Sequence, residues 1–297
     1  MTSYTHPAPA PVHRRILVPL DGSDLSAGAL ATADALAERF GATVHTVSVV
    51  VSELGIEWAR AQAADALGTD PDDFRIHVEI DLDVADAVQR CAAELDASLL
   101  CLSSHGRGRV SGTLIGSTAR AVIDRAHAPV VVAGPLVARP DGDDDAAAPL
   151  AVDRLVACVD GTRASELGLP VAAAWADALG MKLAIVTVAE PCPPPMRIGA
   201  PWRRHHGPDE DADEYIVRLG EQWSFAAPGV ETAVVYDPIG PGSGMRDHLA
   251  SHPAGLVAVT SHVRPPLAHL VFGSGAAEIV HVSTAPALVI PVAAVEG

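Results

Sequence analysis

The chain has 297 residues, about half of them hydrophobic (49%), enough for two domains with substantial cores. It carries 37 acidic against 20 basic side chains, a net charge of -17, which argues against broad binding to nucleic acid or to anionic membranes. Nineteen of the basic residues are Arg; the sole Lys, Lys182 in "GMKLA", is not followed by Ser or Thr, so a P-loop is excluded along with lysine-based Schiff-base chemistry.

The Pro-rich opening, "MTSYTHPAPAPVH", has no continuous apolar segment and reads as a frayed tail over 1–13, neither a signal peptide nor an anchor. From Arg15 the chain alternates short apolar runs with Ala-rich helical patterns. Strands are expected near 15–20, 43–50, 75–80, 97–102 and 129–134, and helices near 24–40, 53–67, 83–94 and 117–126. Runs such as "ASLLCL" and "PVVVAG" are apolar without alternation, as in strands buried on both faces. Strands of this kind separated by helices imply an open, doubly wound parallel sheet.

The segment "PLVARPDGDDDAAAPL" reads as a linker, placed at 136–152 between a first domain, 14–135, and a second, 153–297. After it the pattern repeats. "RILVPLDGSDLSAGALATADAL" from Arg15 is answered by "RLVACVDGTRASELGLPVAAAW" from Arg154, and "SHGRGRVSGTLIGSTARAVIDRAHAPVVVAG" by "SHVRPPLAHLVFGSGAAEIVHVSTAPALVIPV". The fold expected is therefore α/β, two tandem doubly wound five-stranded sheets. The second copy is longer, with a Pro-rich, charged insertion near 191–215 that reads as surface loop or lid. Cys91, Cys101, Cys158 and Cys192 form no Cys-x-x-Cys pair and are expected to be reduced, in a cytoplasmic protein.

In an open parallel sheet, ligands bind beyond the carboxyl ends of the strands where strand order reverses. "DGS" and "SSHGRGRVSGTLIGST" should flank that point. The second stretch ends in Gly116-Ser117 at a helix start, where backbone N–H groups and the helix dipole suit a phosphate. Gly106 and Gly116 allow close approach, Ser117 can cap the helix or donate to phosphate, and Arg107 and Arg109 supply charge. Ser117 as a plain N-cap, and Asp21 and Asp160 as caps of the first helix in each copy, are also compatible with the pattern. His105 and His262 read as structural, since no His/Cys/Asp cluster with ligand spacing surrounds them; a metal site is not identifiable.

These motifs, "DGS", "SHG" and a glycine followed after nine residues by Gly-Ser, resemble the universal stress protein family in its tandem form, over nearly the whole chain. The resemblance implies ATP, with Mg2+, in the first copy. Pro19, Asp21, Val49, Leu102 and Ser103 would line the adenosine side. Gly106, Arg107, Gly116, Ser117 and Thr118 would hold the phosphates. Ser103 departs from the family's first signature glycine. The second copy departs further: Thr260 and Val263 replace two glycines, Pro265 and Pro266 remove two N–H donors, and Cys158 stands in place of Pro19. Asp160, Val188, Thr260, Gly273 and Ser274 would form at most a weak second site. The resemblance also implies that the final strands of the two copies pair as an internal pseudo-dimer, with a homodimer of chains as a further option. Three functions stay open: ATP as a regulatory ligand in stress response or signalling, a slow ATPase or phosphotransferase, and a nucleotide-free scaffold. No nucleic-acid or membrane partner is expected.

Overall fold

The computed structural model describes residues 6–105, 114–137, 148–191, 211–263, 270–271 and 273–291. The first half runs β1 (Arg15–Pro19), α1 (Asp24–Phe40), β2 (Thr43–Val50), a 3-10 turn (Glu53–Gly55), α2 (Ile56–Leu67), β3 (Ile76–Ile80), α3 (Val84–Glu94), β4 (Leu99–Ser103), α4 (Ser117–Asp124) and β5 (Val130–Ala133). These are the elements expected, with shifts of one or two residues at several ends. The second half runs β6 (Arg154–Val159), α5 (Arg163–Leu167), α6 (Leu169–Ala178), β7 (Lys182–Ala189), α7 (Ala212–Ser224), β8 (Glu231–Tyr236), α8 (Pro241–Ser251), β9 (Leu256–Val263), β10 (Leu270–Val271), α9 (Ser274–Val282) and β11 (Ala287–Pro291). The counterpart of α1 is broken at Gly168, because Pro170 in the first turn of α6 lacks an N–H to continue the helix.

Each half is a five-stranded parallel block, and the two blocks are continuous. Strand order is β3-β2-β1-β4-β5-β11-β9-β6-β7-β8. All neighbours on this path are parallel except β5 and β11, which pair antiparallel in the register Ala287↔Val132, Leu288↔Val131 and Val289↔Val130. The expected pairing of the two final strands is thus present within the chain.

The register keeps both faces apolar across the seam. Val131 and Leu288 point to one face, among Ile16, Leu155 and Trp175. Val130, Val132, Ala287 and Val289 point to the other, among Leu17, Val156 and Val280. Each face is therefore one core shared by both halves, which covers two strand edges that would otherwise be open to pairing. Just beyond β5, a Cβ built on Gly134 would lie 2.3 Å from the Val280 carbonyl oxygen of α9. Only glycine permits that approach.

A second contact ties the halves on one face. The His13 ring sits 4.9 Å from Phe40 of α1 and 5.1 Å from Trp175 of α6, and Phe40 and Trp175 meet edge to face at 5.4 Å. The Ala8 N–H donates to the Pro170 carbonyl at 2.9 Å. Arg39 donates to the Leu179 carbonyl at 3.0 Å. The frayed tail expected over 1–13 is thus corrected for Ala8 to His13, which are held by an aromatic cluster and a backbone bond; residues 1–5 lie outside the described set.

Two other expectations change. The insertion near 191–215 is not all loop: Asp211 caps α7 in a reciprocal capping box with Glu214, and Tyr215 is buried, while 192–210 lie outside the described residues. At the ends of the linker, Val137 and Leu150 are buried in the shared core, and 138–147 lie outside the described residues. Among the described residues no helix is long and apolar enough to cross a membrane.

Two predictions follow from this seam. Gly134→Ala forces β5 and α9 apart and should lower the unfolding free energy by about 1–3 kcal/mol, as overpacking does; urea denaturation measures it. The second concerns His13, which is 7% exposed and pushed by burial from the ordinary histidine value to about 4. The folded chain holds the ring neutral where the unfolded chain would protonate it. Its stabilising contribution is therefore complete above the unfolded value of about 6.5 and is lost as pH falls towards 4, by roughly 3 kcal/mol in all. The difference in unfolding free energy between wild type and His13→Phe, measured from pH 7 to pH 4, should shift by that amount in favour of the variant at low pH.

Candidate functional site

Strand order reverses between β1 and β4 in the first half and between β6 and β9 in the second. In each half a cleft lies at the carboxyl ends of these strands.

The first-half cleft encloses about 420 Å³. Its floor is apolar: Pro19 and Leu20 at the end of β1, Val47 and Val49 of β2, Leu102 of β4, and Val84 and Val88 of α3. One wall is the start of α4, with Gly116, Ser117, Thr118 and Ala119. The other is α2, with Trp58, Ala59 and Gln62. Of the residues singled out in the sequence, Pro19, Asp21, Val49, Leu102, Ser103, Gly116, Ser117 and Thr118 all line this one cleft. Gly106 and Arg107 lie outside the described residues.

The wall at α4 is suited to an anion. Gly116 occupies the N-cap position with φ -64° and ψ 151°, no side chain caps the first turn, and that turn contains no acid. The N–H groups of the turn and the positive end of the helix dipole therefore face the cleft. The Gly116 N–H itself donates to the Ser104 carbonyl at 2.8 Å, which fixes the start of α4 against the end of β4. A Cβ on Gly116 would stand 3.3 Å from that carbonyl oxygen. The Ser103 hydroxyl donates to the His105 carbonyl at 2.9 Å, so the serine in place of a glycine braces the loop. His105, read from the sequence as structural, is buried, bonds the Ser104 hydroxyl through Nδ1 at 3.1 Å and also lines the cleft. Asp21 does not occupy the N-cap position of α1, which falls to Ser23; its carboxylate accepts the Ser23 N–H at 2.9 Å.

The second-half cleft is built on the same topology and has been closed. It encloses about 110 Å³. Asp160, Val188 and Thr260 line it, whereas Gly273 and Ser274 do not, their places being taken by Gly275 and Ala276. Three substitutions in the surroundings account for the closure. First, β9 runs three residues past Thr260 and pairs antiparallel with β10, with Val263 opposite Leu270, whereas β4 ends at Ser103, the counterpart of Thr260. Second, the Thr260 hydroxyl points at α5, donating to the Ser165 carbonyl at 3.3 Å. Third, α8 begins with Gly242 and Gly244. A Cβ on Gly242 would be 2.9 Å from Cβ of Glu278, and one on Gly244 would be 2.8 Å from Val188. These glycines let α8 settle onto α9 and the end of β7. The Glu278 carboxylate, from the second turn of α9, accepts the Gly242 N–H at 3.3 Å and so ties the start of α8 to α9; the first half has Ala121 at the equivalent position.

Asp160 accepts both the N–H (3.0 Å) and the hydroxyl (2.6 Å) of Thr162, the residue that caps α5. Burial pushes the Cys158 thiol, which lines the second cleft, up to about 12, so it is not a thiolate nucleophile at neutral pH. Among the described residues no group of three or more His, Cys, Asp or Glu side chains could hold a metal ion.

The model of the universal stress protein family matches residues 13–55, 51–134 and 151–291. A universal stress protein of Mycobacterium tuberculosis is 35% identical over 142 residues, 42% of this chain and 47% of that protein, so the match spans about half the length of that relative. One from Methanocaldococcus jannaschii is 30% identical over 139 residues, 41% of this chain and 82% of that protein. Among solved structures, a universal stress protein from Archaeoglobus fulgidus shares the fold over 93% of this chain and 96% of its own, at 17% identity and a TM-score of 0.59. A universal stress protein crystallised in complex with cAMP matches 41% of this chain and 97% of its own, at 24% identity and a TM-score of 0.34.

Proposed function

The chain belongs to the universal stress protein family, and we propose that its first-half cleft binds ATP, taken with Mg2+, as a regulatory ligand in stress response or signalling in the cytoplasm. The observation that carries this reading is the uncapped, acid-free start of α4 opening onto a large cleft with an apolar floor. A nucleotide satisfies both ends of such a cleft at once. Its phosphates meet helix N–H groups that have no side-chain cap, and its base and ribose cover aliphatic surface.

In this reading Pro19, Asp21, Val49, Leu102 and Ser103 hold the adenosine, and Gly116, Ser117 and Thr118 hold the phosphates together with Gly106 and Arg107. The arginines of the loop matter because the chain as a whole is strongly acidic, with a net charge of -17. The second-half cleft takes no nucleotide: it is about a quarter of the volume of the first.

Two measurements test the proposal. Denaturing the purified protein should release intact ATP; release of ADP alone, with turnover of added ATP, would instead make it an ATPase. Gly116→Val places a branched side chain at the start of α4. It should lower ATP affinity by at least about tenfold, the loss expected for one charge-assisted hydrogen bond or more, with an unchanged circular dichroism spectrum. A folded variant with wild-type affinity in calorimetric titration would move the phosphates elsewhere.

A further inference from the structure

We propose that the face of α2 carrying Trp58 and Gln62 is the wall that recognises the nucleobase, the indole stacking on the base and the Gln62 carboxamide reading its edge. This rests on the nucleotide reading above and assigns the half of the cleft that the phosphate motif leaves unexplained.

The placement begins with the alanines of α2. Ala59, Ala63 and Ala64 are buried, and their small side chains let the helix lie close to the end of the sheet. Trp58 and Gln62 are four residues apart and so share one face of the helix. Both line the cleft together with Val49 and Val50 at the end of β2. Along the strand order β3-β2-β1-β4, α2 packs on β2 and β3 while α4 follows β4. The aromatic wall and the anion-binding wall therefore stand at opposite ends of one cleft, as a ligand with a planar end and a charged end requires.

The second half serves as an internal control. None of the described residues of α7, the helix that follows β7 as α2 follows β2, lines the smaller cleft. Its tryptophan, Trp223, is 2% exposed in the core, whereas Trp58 is 48% exposed at the mouth of the larger cleft. Both α4 and α9 start on a glycine N-cap without a side-chain cap, but an aromatic lining the cleft occurs only in the half with the larger cleft, among the described residues.

The chemistry of the pair selects a class of base. An indole face stacks on any base. A carboxamide presents one donor and one acceptor side by side, which matches N7 and the amino group of adenine; guanine offers two acceptors at the same edge. The pair therefore favours adenine nucleotides over guanine nucleotides.

The test uses the full chain and titration calorimetry with ATP, GTP and inorganic triphosphate. Trp58→Ala should weaken ATP binding about tenfold, the usual effect of removing one stacked aromatic, and leave triphosphate binding unchanged. Gln62→Ala should reduce the preference for ATP over GTP by about tenfold. ATP should quench tryptophan fluorescence in the wild type. Trp58→Phe should abolish that quench while keeping ATP affinity within about threefold, because the ring face is retained. Trp58 is half exposed, so these variants should keep the fold, which circular dichroism checks. If the wild type binds ATP and the Trp58 variants leave affinity and quench unchanged, the base wall is wrong and the nucleotide reading stands. A parallel loss of ATP and triphosphate binding in Trp58→Ala would also overturn it. Failure of the wild type to bind all three probes would overturn both.

Discussion

The antiparallel pairing of β5 with β11 is the constraint on which the rest of the molecule depends. Three paired positions join two parallel blocks into one sheet and make each face a single core. Nothing about a parallel block alone requires this; each could end in an open edge. Once the edges pair, α9 of the second half is drawn against the loop that leaves β5, to the point where Gly134 cannot carry a side chain. The same approach sets His281 of α9 at 6.2 Å from His105, which lines the first cleft, and lays β10 against α4. The half with the small cleft is thus part of the surroundings of the large one.

The two clefts differ although their topology does not, and the cause is local packing. A Rossmann-like cleft stays open only where the helices flanking it are held apart. In the first half α3 presents Val84 and Val88 to the cavity, and the start of α4 remains bare. In the second, two glycines at the start of α8 remove the side chains that would keep it from α9 and the end of β7, and β9 continues past Thr260 to pair with β10. Glu278 of α9 accepts the Gly242 N–H and holds α8 in that position. A cavity of about 110 Å³, with four valines, Met245 and Ile279 in its lining, is what remains.

Much of this was legible before any coordinates. Strands buried on both faces are continuous apolar runs, so "RILVP" and "PVVVA" could be placed nearly to the residue, and the duplication followed from the repeated "DG" and "GS" motifs. The break between α5 and α6 was also written in the chain, as Pro170, yet the Ala-rich pattern around it masked the signal. The burial of His13 was not legible, because it depends on Phe40 and Trp175 meeting across the seam; a Pro-rich opening with few apolar residues reads as a tail. In the site, the motif residues came from the loops whose spacing is characteristic. Trp58 and Gln62 were missed because they sit on a helix where an aromatic among polar neighbours resembles ordinary surface; a tryptophan on the outer face of an alanine-rich helix was the available signal. The size of each cleft was out of reach, since it is set by side chains that are absent, at Gly242 and Gly244, as much as by those present.

On the proposed function, the chain holds one nucleotide-binding cleft, in its first half. Equilibrium dialysis of the intact protein, freed of any carried-over ligand, against ATP measures this directly. Saturation at one ATP per chain is expected, with the affinity lowered at least about tenfold when Gly116 is replaced by Val. Saturation at two equivalent sites per chain, or one site whose affinity Gly116→Val leaves unchanged, would overturn the proposed function.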